Sequence, residues 1–132
     1  MKTITLPKWS ACITIGMQKG YTEERLELNE IKNHLKDIQE IQIKREQLYL
    51  SANVYLSDIV LSGHDEPHLN LNFINYPRFP ASQEQLKRGV LEIAEYLQRI
   101  LEQNRVLITF EQEIIMLEEN REINKGIIKE KQ

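Results

Sequence analysis

The 132 residues contain one cysteine, one tryptophan, five glycines and four prolines. With Cys12 alone, neither an intramolecular disulfide framework nor a zinc site built from cysteines is possible. There is no run of about 18 apolar residues, so no transmembrane helix is expected. Pro7, Lys8 and Ser10 break up the apolar residues of the amino-terminal stretch, which argues against a secretory signal. A reducing, cytoplasmic setting is the expectation. Excess charge is also lacking: 17 basic against 20 acidic residues leave −3, and no basic stripe stands out. Neither nucleic acid nor a membrane is therefore expected as a partner. The G-x-S-x-G elbow of serine hydrolases, the H-E-x-x-H zinc motif and the phosphate-loop spacing are all missing.

What is present suits a soluble domain: 41% hydrophobic and 28% charged residues, enough for a core that needs no staple. Cys12 to Ile15 read as a first strand ending at Gly16. Thr22 is the expected cap of a first helix, with Glu23 and Glu24 in its first turn. Leu28, Ile31, Leu35 and Ile38 recur at helical spacing and form its apolar stripe, while its end falls between Gln39 and Glu46. From Leu48 the period becomes two. Leu50, Ala52, Val54 and Leu56 alternate with Ser51, Asn53, Tyr55 and Ser57, and Asp58 then falls on the apolar parity. A buried aspartate is costly, so a bulge near Ser57 and Asp58 is expected, turning Ile59 and Leu61 inward. Ser62 to Pro67 reads as a turn, and Leu69, Leu71 and Phe73 complete a hairpin. Ser82 with Gln85 is a capping-box signature, followed by Leu86, Val90, Ile93, Leu97 and Ile100 on a second helix. Val106 to Phe110 suits a buried strand, and Ile114 to Leu117 a further one.

This order resembles the split βαβ, or ferredoxin-like, arrangement: an α+β fold with two helices on one face of a mainly antiparallel sheet, with an extra carboxy-terminal strand. The resemblance is one of element order, and that fold hosts many unrelated functions. The reading gives a single domain over 1–118 and a charged tail over 119–132, which frays or forms a short helix.

Few residues invite chemistry. The Gly16–Thr22 loop, with Lys19, Gly20 and Thr22, joins a strand to a helix and could hold an anion, although its spacing departs from the phosphate loop. If extended, His64, Glu66 and His68 would face one way, within reach of a divalent metal. Gly63 and Pro67 favour a solvated turn instead. Cys12, in an apolar strand, reads as a small hydrophobe. Ser51, Asn53, Tyr55, Ser57, Asn70 and Asn72 should line the sheet face away from the helices, uncharged and rich in hydrogen-bonding groups, with Asn53, Tyr55, Asn70 and Asn72 as the candidate contacts. Tyr76, Arg78 and Phe79 lie on a proline-stiffened loop, either as interface anchors or with Phe79 packed against Leu86. No cofactor is expected. With no catalytic constellation visible, the first expectation is a non-catalytic interaction or assembly module, forming a homo-oligomer or binding another protein. The rival is a small-ligand binder or enzyme with a pocket near the Gly16–Thr22 or His64–His68 loops.

Overall fold

The computed structural model describes residues 1–18 and 24–119. The elements run β1 (Ser10–Gly16), α1 (Leu28–Glu46), β2 (Ala52–Leu61), β3 (His64–Ile74), α2 (Gln83–Ile100), β4 (Arg105–Phe110) and β5 (Ile114–Glu118). The sheet order is β2-β3-β1-β4-β5, every neighbouring pair antiparallel. This is the α+β, ferredoxin-like arrangement with β5 added outside β4.

Along β1 the burial alternates. Ala11, Ile13 and Ile15 enter the core while Cys12 and Thr14 face the other way, as a strand period of two requires. Leu69, Leu71 and Phe73 of β3 and Val106, Ile108 and Phe110 of β4 join them against Ile31, Leu35 and Ile38 of α1 and Leu86, Val90, Ile93 and Leu97 of α2. Ser82 caps α2 as expected, its hydroxyl accepting from the Gln85 amide at 3.1 Å. At the other end of that helix the inward position passes to Leu101, and Ile100 is exposed.

The first helix departs from expectation at its start and ends at Glu46, the far limit of the expected interval. It begins at Leu28 with Glu27 as an uncapped flank, because the chain first folds back on itself through a Gln18–Arg25 bridge and a Leu26–Met17 backbone bond of 2.8 Å. Thr22 lies outside the described residues. The helix ends where Gln47 takes the left-handed conformation (φ 54°) and donates to the Ile43 carbonyl at 2.9 Å, a stop made without glycine. Its inward stripe continues from Ile38 to Gln42, not to Ile41 or Ile43. Gln42 is fully buried and donates to the Gly89 carbonyl at 3.0 Å and to Glu92 at 2.9 Å. Gly89 makes room for Leu48 and Leu50 beside this bond: a Cβ there would come within 2.5 Å of Leu48 and 2.7 Å of Leu50.

Outside Gln42 lies a charge cluster. Arg45 grips Glu92 with two bonds of 2.7 and 2.8 Å and also reaches Glu46, which Arg88 contacts at 2.7 Å. The Arg45 hydrogen bonds hold the carboxyls of Glu92 and Glu46 below their ordinary range. A depressed folded-state value stabilises the fold above the unfolded-chain value, about 4.3 for glutamate, and that contribution disappears as pH falls through the folded value. The melting temperature should therefore drop by no more than a few degrees between pH 5 and 3 on this account, since the cluster lies at the surface and is partly screened by solvent. Arg45→Ala should reduce that acid-side drop; an unchanged profile in scanning calorimetry would count against the cluster.

The hairpin carries no bulge. The β2–β3 register runs unbroken from Ala52–Phe73 to Leu61–His64 and closes on Ser62 and Gly63, with Ser62 at φ 54°. Asp58 keeps the parity of Val54 yet is exposed, because β1 stops opposite His68 and the hairpin continues as a projecting arm. Asp58 therefore incurs no burial cost, and Ile59 and Leu61 remain exposed. The segment expected as a turn, His64–Pro67, is strand. No described helix is long and apolar enough to cross a membrane.

Candidate functional site

Helices cover one face of the sheet; the other is open. By parity and register it presents Cys12 and Thr14 from β1, Asn53, Tyr55, Ser57 and Ile59 from β2, and Glu66, His68, Asn70 and Asn72 from β3. Paired positions form rungs along the hairpin: Asn53 with Asn72, Tyr55 with Asn70, Ser57 with His68, and Ile59 with Glu66.

Asn70 is the centre of this face. It is only 8% exposed and hydrogen-bonded on both sides of its amide. Its Oδ1 accepts from the Thr14 hydroxyl at 3.1 Å and more weakly from the Cys12 thiol at 3.9 Å. Its Nδ2 donates to Ser57 Oγ at 2.6 Å and reaches the Tyr55 carbonyl at 3.5 Å. The amide thus ties β1 to β2 across β3, leaving Tyr55 and Asn53 exposed to solvent. Cys12 beside Tyr55 holds the phenol above its ordinary range through charge interaction, then through desolvation and a hydrogen bond between them. Tyr55 is therefore a neutral donor and an aromatic surface at neutral pH. His68 sits one rung further out, its Nδ1 3.2 Å from the Glu66 carbonyl oxygen, which accepts only. In the neutral tautomer that donates from Nδ1 to this carbonyl, Nε2 is an acceptor.

The structure distributes the residues singled out in the sequence unevenly. Lys19, Gly20 and Thr22 lie outside the described residues. Asn53, Tyr55, Asn70 and Asn72 do share the open face, but Asn70 is buried within it and is no free contact. His64, Glu66 and His68 do face one way, as extended spacing requires. Successive members are two residues apart, about 7 Å along a strand, and no group of three metal-ligating side chains able to hold an ion occurs among the described residues. Phe79 stacks on Tyr49 with ring centroids 4.5 Å apart, with Tyr76 at 6.1 Å and Arg78 over its ring at 5.5 Å. Asn75 closes the loop by bonding both the amide and the carbonyl of Ala81. Trp9 packs beside Phe110 with centroids 6.2 Å apart.

Two clefts lie away from the open face. One of about 680 Å³ is lined by Arg45, Glu46, Arg88, Leu91, Glu92 and Glu95, where Arg45 pairs with Glu92 and Arg88 with Glu46. Another, of about 380 Å³, includes Trp9, Phe110 and Lys87. The Lys87 ammonium already lies 5.4 Å over the Phe110 ring and pairs with Glu113. Strand alternation places Ser57 on this face without marking it as a contact, and it leaves Thr14 unremarked. Their parity with Cys12 and Tyr55 was the available signal, but only the strand order brings both to Asn70.

No protein-family model matches the chain, and no curated protein matches it. Solved structures do. A phage SAM lyase in complex with S-methyl-5′-thioadenosine shares the fold at 18% identity and a TM-score of 0.62, over 90% of this chain and 95% of that one. A phage SAM lyase in the apo state matches at 17% identity and a TM-score of 0.62, over 85% of this chain and 90% of that one. Identities this low speak to the fold.

Proposed function

We propose that the protein is a small-ligand enzyme that binds S-adenosylmethionine on the open face of its sheet and releases S-methyl-5′-thioadenosine. Support comes from the fold shared nearly end to end with a lyase of that substrate, together with the composition of this face. The observation that carries the reading is the Tyr55–Asn70 rung: an exposed aromatic ring set on a buried, fully hydrogen-bonded amide, with His68 and Glu66 on the next rungs. An uncharged polar surface with an aromatic platform suits a nucleoside, which stacks and accepts hydrogen bonds but carries no charge. Glu66 lies four residues from Asn70, about 13 Å along the strand, a span comparable to an extended nucleoside with its aminobutyryl chain. Its carboxylate would face the cationic end of the substrate.

In a lyase step the substrate's own carboxylate attacks the γ-carbon of the amino-acid chain as the bond from that carbon to sulfur breaks, so that a lactone closes and the electron pair of the broken bond stays on sulfur. The sulfonium becomes a neutral thioether, so a site that attracts the cation binds the product less tightly. Titration calorimetry of the wild-type protein with S-methyl-5′-thioadenosine and S-adenosylmethionine, with mass-spectrometric detection of released thioether, tests this. Absence of both binding and release at millimolar ligand would refute it.

The same reading includes self-association. A flat face buries one side of a ligand, whereas small-molecule sites enclose most of it. The projecting hairpin exposes Val60 (66%) and Leu61 (74%), and the opposite edge exposes Ile114 (66%) and Met116 (53%). Both β2 and β5 are edge strands. A second copy covering these surfaces would supply the second wall. Light scattering should find an oligomer at micromolar concentration and a monomer for Val60→Asp/Leu61→Asp; a wild-type monomer at high micromolar concentration would refute the assembly.

A further inference from the structure

We infer that Ser57 is a hydrogen-bond donor to the bound ligand and that Asn70 is the positioning residue that turns its proton outward. The inference rests on the nucleoside reading of the open face and adds a specific contact to it. The Tyr55 carbonyl can only accept, and it lies 3.5 Å from one end of the Asn70 amide, so the amino group must be at that end. Ser57 Oγ is 2.6 Å from the same amino group and therefore accepts from it. On the far side the Thr14 hydroxyl donates to Oδ1 at 3.1 Å, which fixes the amide against rotation. The order of donors is Thr14 to Asn70 to Ser57. The Ser57 proton is left over, and no acceptor among the described residues takes it. Ser57 is half-buried on the open face, between the Tyr55 and Ile59 positions of its strand and opposite His68. The chain of bonds thus delivers one oriented donor to the place where a nucleoside oxygen or ring nitrogen would lie. His68, presenting an acceptor at Nε2, would complement it.

Two measurements separate this inference from the functional reading beneath it. In calorimetric titration with S-methyl-5′-thioadenosine, Ser57→Ala should weaken binding about three- to tenfold, the loss of one neutral hydrogen bond. Asn70→Leu should weaken it similarly, and the double variant no further than either single one, since both act through one proton. Additive losses in the cycle would make Asn70 merely structural and overturn the inference. The second measurement needs no ligand. In a Cys12→Ser background, Ser57→Cys places a thiol where Asn70 donates to the sulfur, so its titration at 240 nm should fall below the ordinary value of about 8.5. Adding Asn70→Leu should lower the thiolate fraction near neutrality about tenfold. An ordinary thiol with Asn70 intact would overturn the inference without any change at position 70. A wild-type protein that binds no thioether, together with a lowered thiol in the Ser57→Cys variant, would refute the functional reading and leave the oriented donor standing.

Discussion

Glu66→Gln is expected to weaken binding of S-adenosylmethionine by about ten- to a hundredfold while changing affinity for S-methyl-5′-thioadenosine less than about twofold. A hydrogen bond to a charged group contributes about 1.5–3 kcal/mol, against about 1.4 kcal/mol per tenfold in affinity. Glu66 shares the open face with Tyr55 and His68. The other acid that the open-face parity presents, Glu118, is engaged by Arg105 at 2.7 Å. The substrate carries a sulfonium and an ammonium that the thioether product lacks, so a carboxylate distinguishes the two by charge alone. Paired titrations of both ligands against the variant read this directly. Equal losses for the two ligands would mean that Glu66 shapes the face rather than meets the cation, and unchanged substrate affinity would remove it from the site.

Phe73→Ala should cost about 3–5 kcal/mol of stability, a large share of the 5–15 kcal/mol that ordinarily holds a domain together. The ring is fully buried on β3, and its cross-strand neighbours are alanines on both sides, Ala11 of β1 and Ala52 of β2. Two small residues flank one large one, so neither neighbour can fill the cavity. The midpoint of thermal unfolding should fall by about 10–20 °C for a domain of this size. In urea the midpoint should fall with an unchanged slope, the signature of lost packing in an otherwise intact fold. A loss below about 1 kcal/mol would mean that the helices collapse onto the gap.

Where the amino-acid pattern was read correctly, the physics was local. Ile31, Leu35 and Ile38 mark a helix face, Ala52 to Ser57 alternate as a strand, and Ser82 with Gln85 starts a helix; each needs only the period of its own element. The errors share a different origin. The parity of Asp58 was judged correctly, but its burial depended on where β1 stops. Gln42 holds a core position that no hydropathy pattern assigns to glutamine, because its partners Gly89 and Glu92 are on another helix. The end of the first helix was invisible because Gln47, with no glycine, adopts the left-handed turn. Phe79 turned to Tyr49, a residue 30 positions away in the chain.

The candidate site divides in the same way. That Asn53, Tyr55, Ser57, Asn70 and Asn72 line one face follows from strand alternation, which a chain carries in its order of residues. That Thr14 and Ser57 meet at Asn70 follows from β1 and β2 flanking β3, and strand order is a property of packing. By itself the sequence determined the elements, the polarity of the sheet faces and the absence of familiar catalytic motifs. The tertiary structure decided which polar groups are buried, which carboxylate of the open face has Arg105 as its partner and which way the Asn70 amide points, since hydrogen bonds and burial depend on neighbours brought together only by folding.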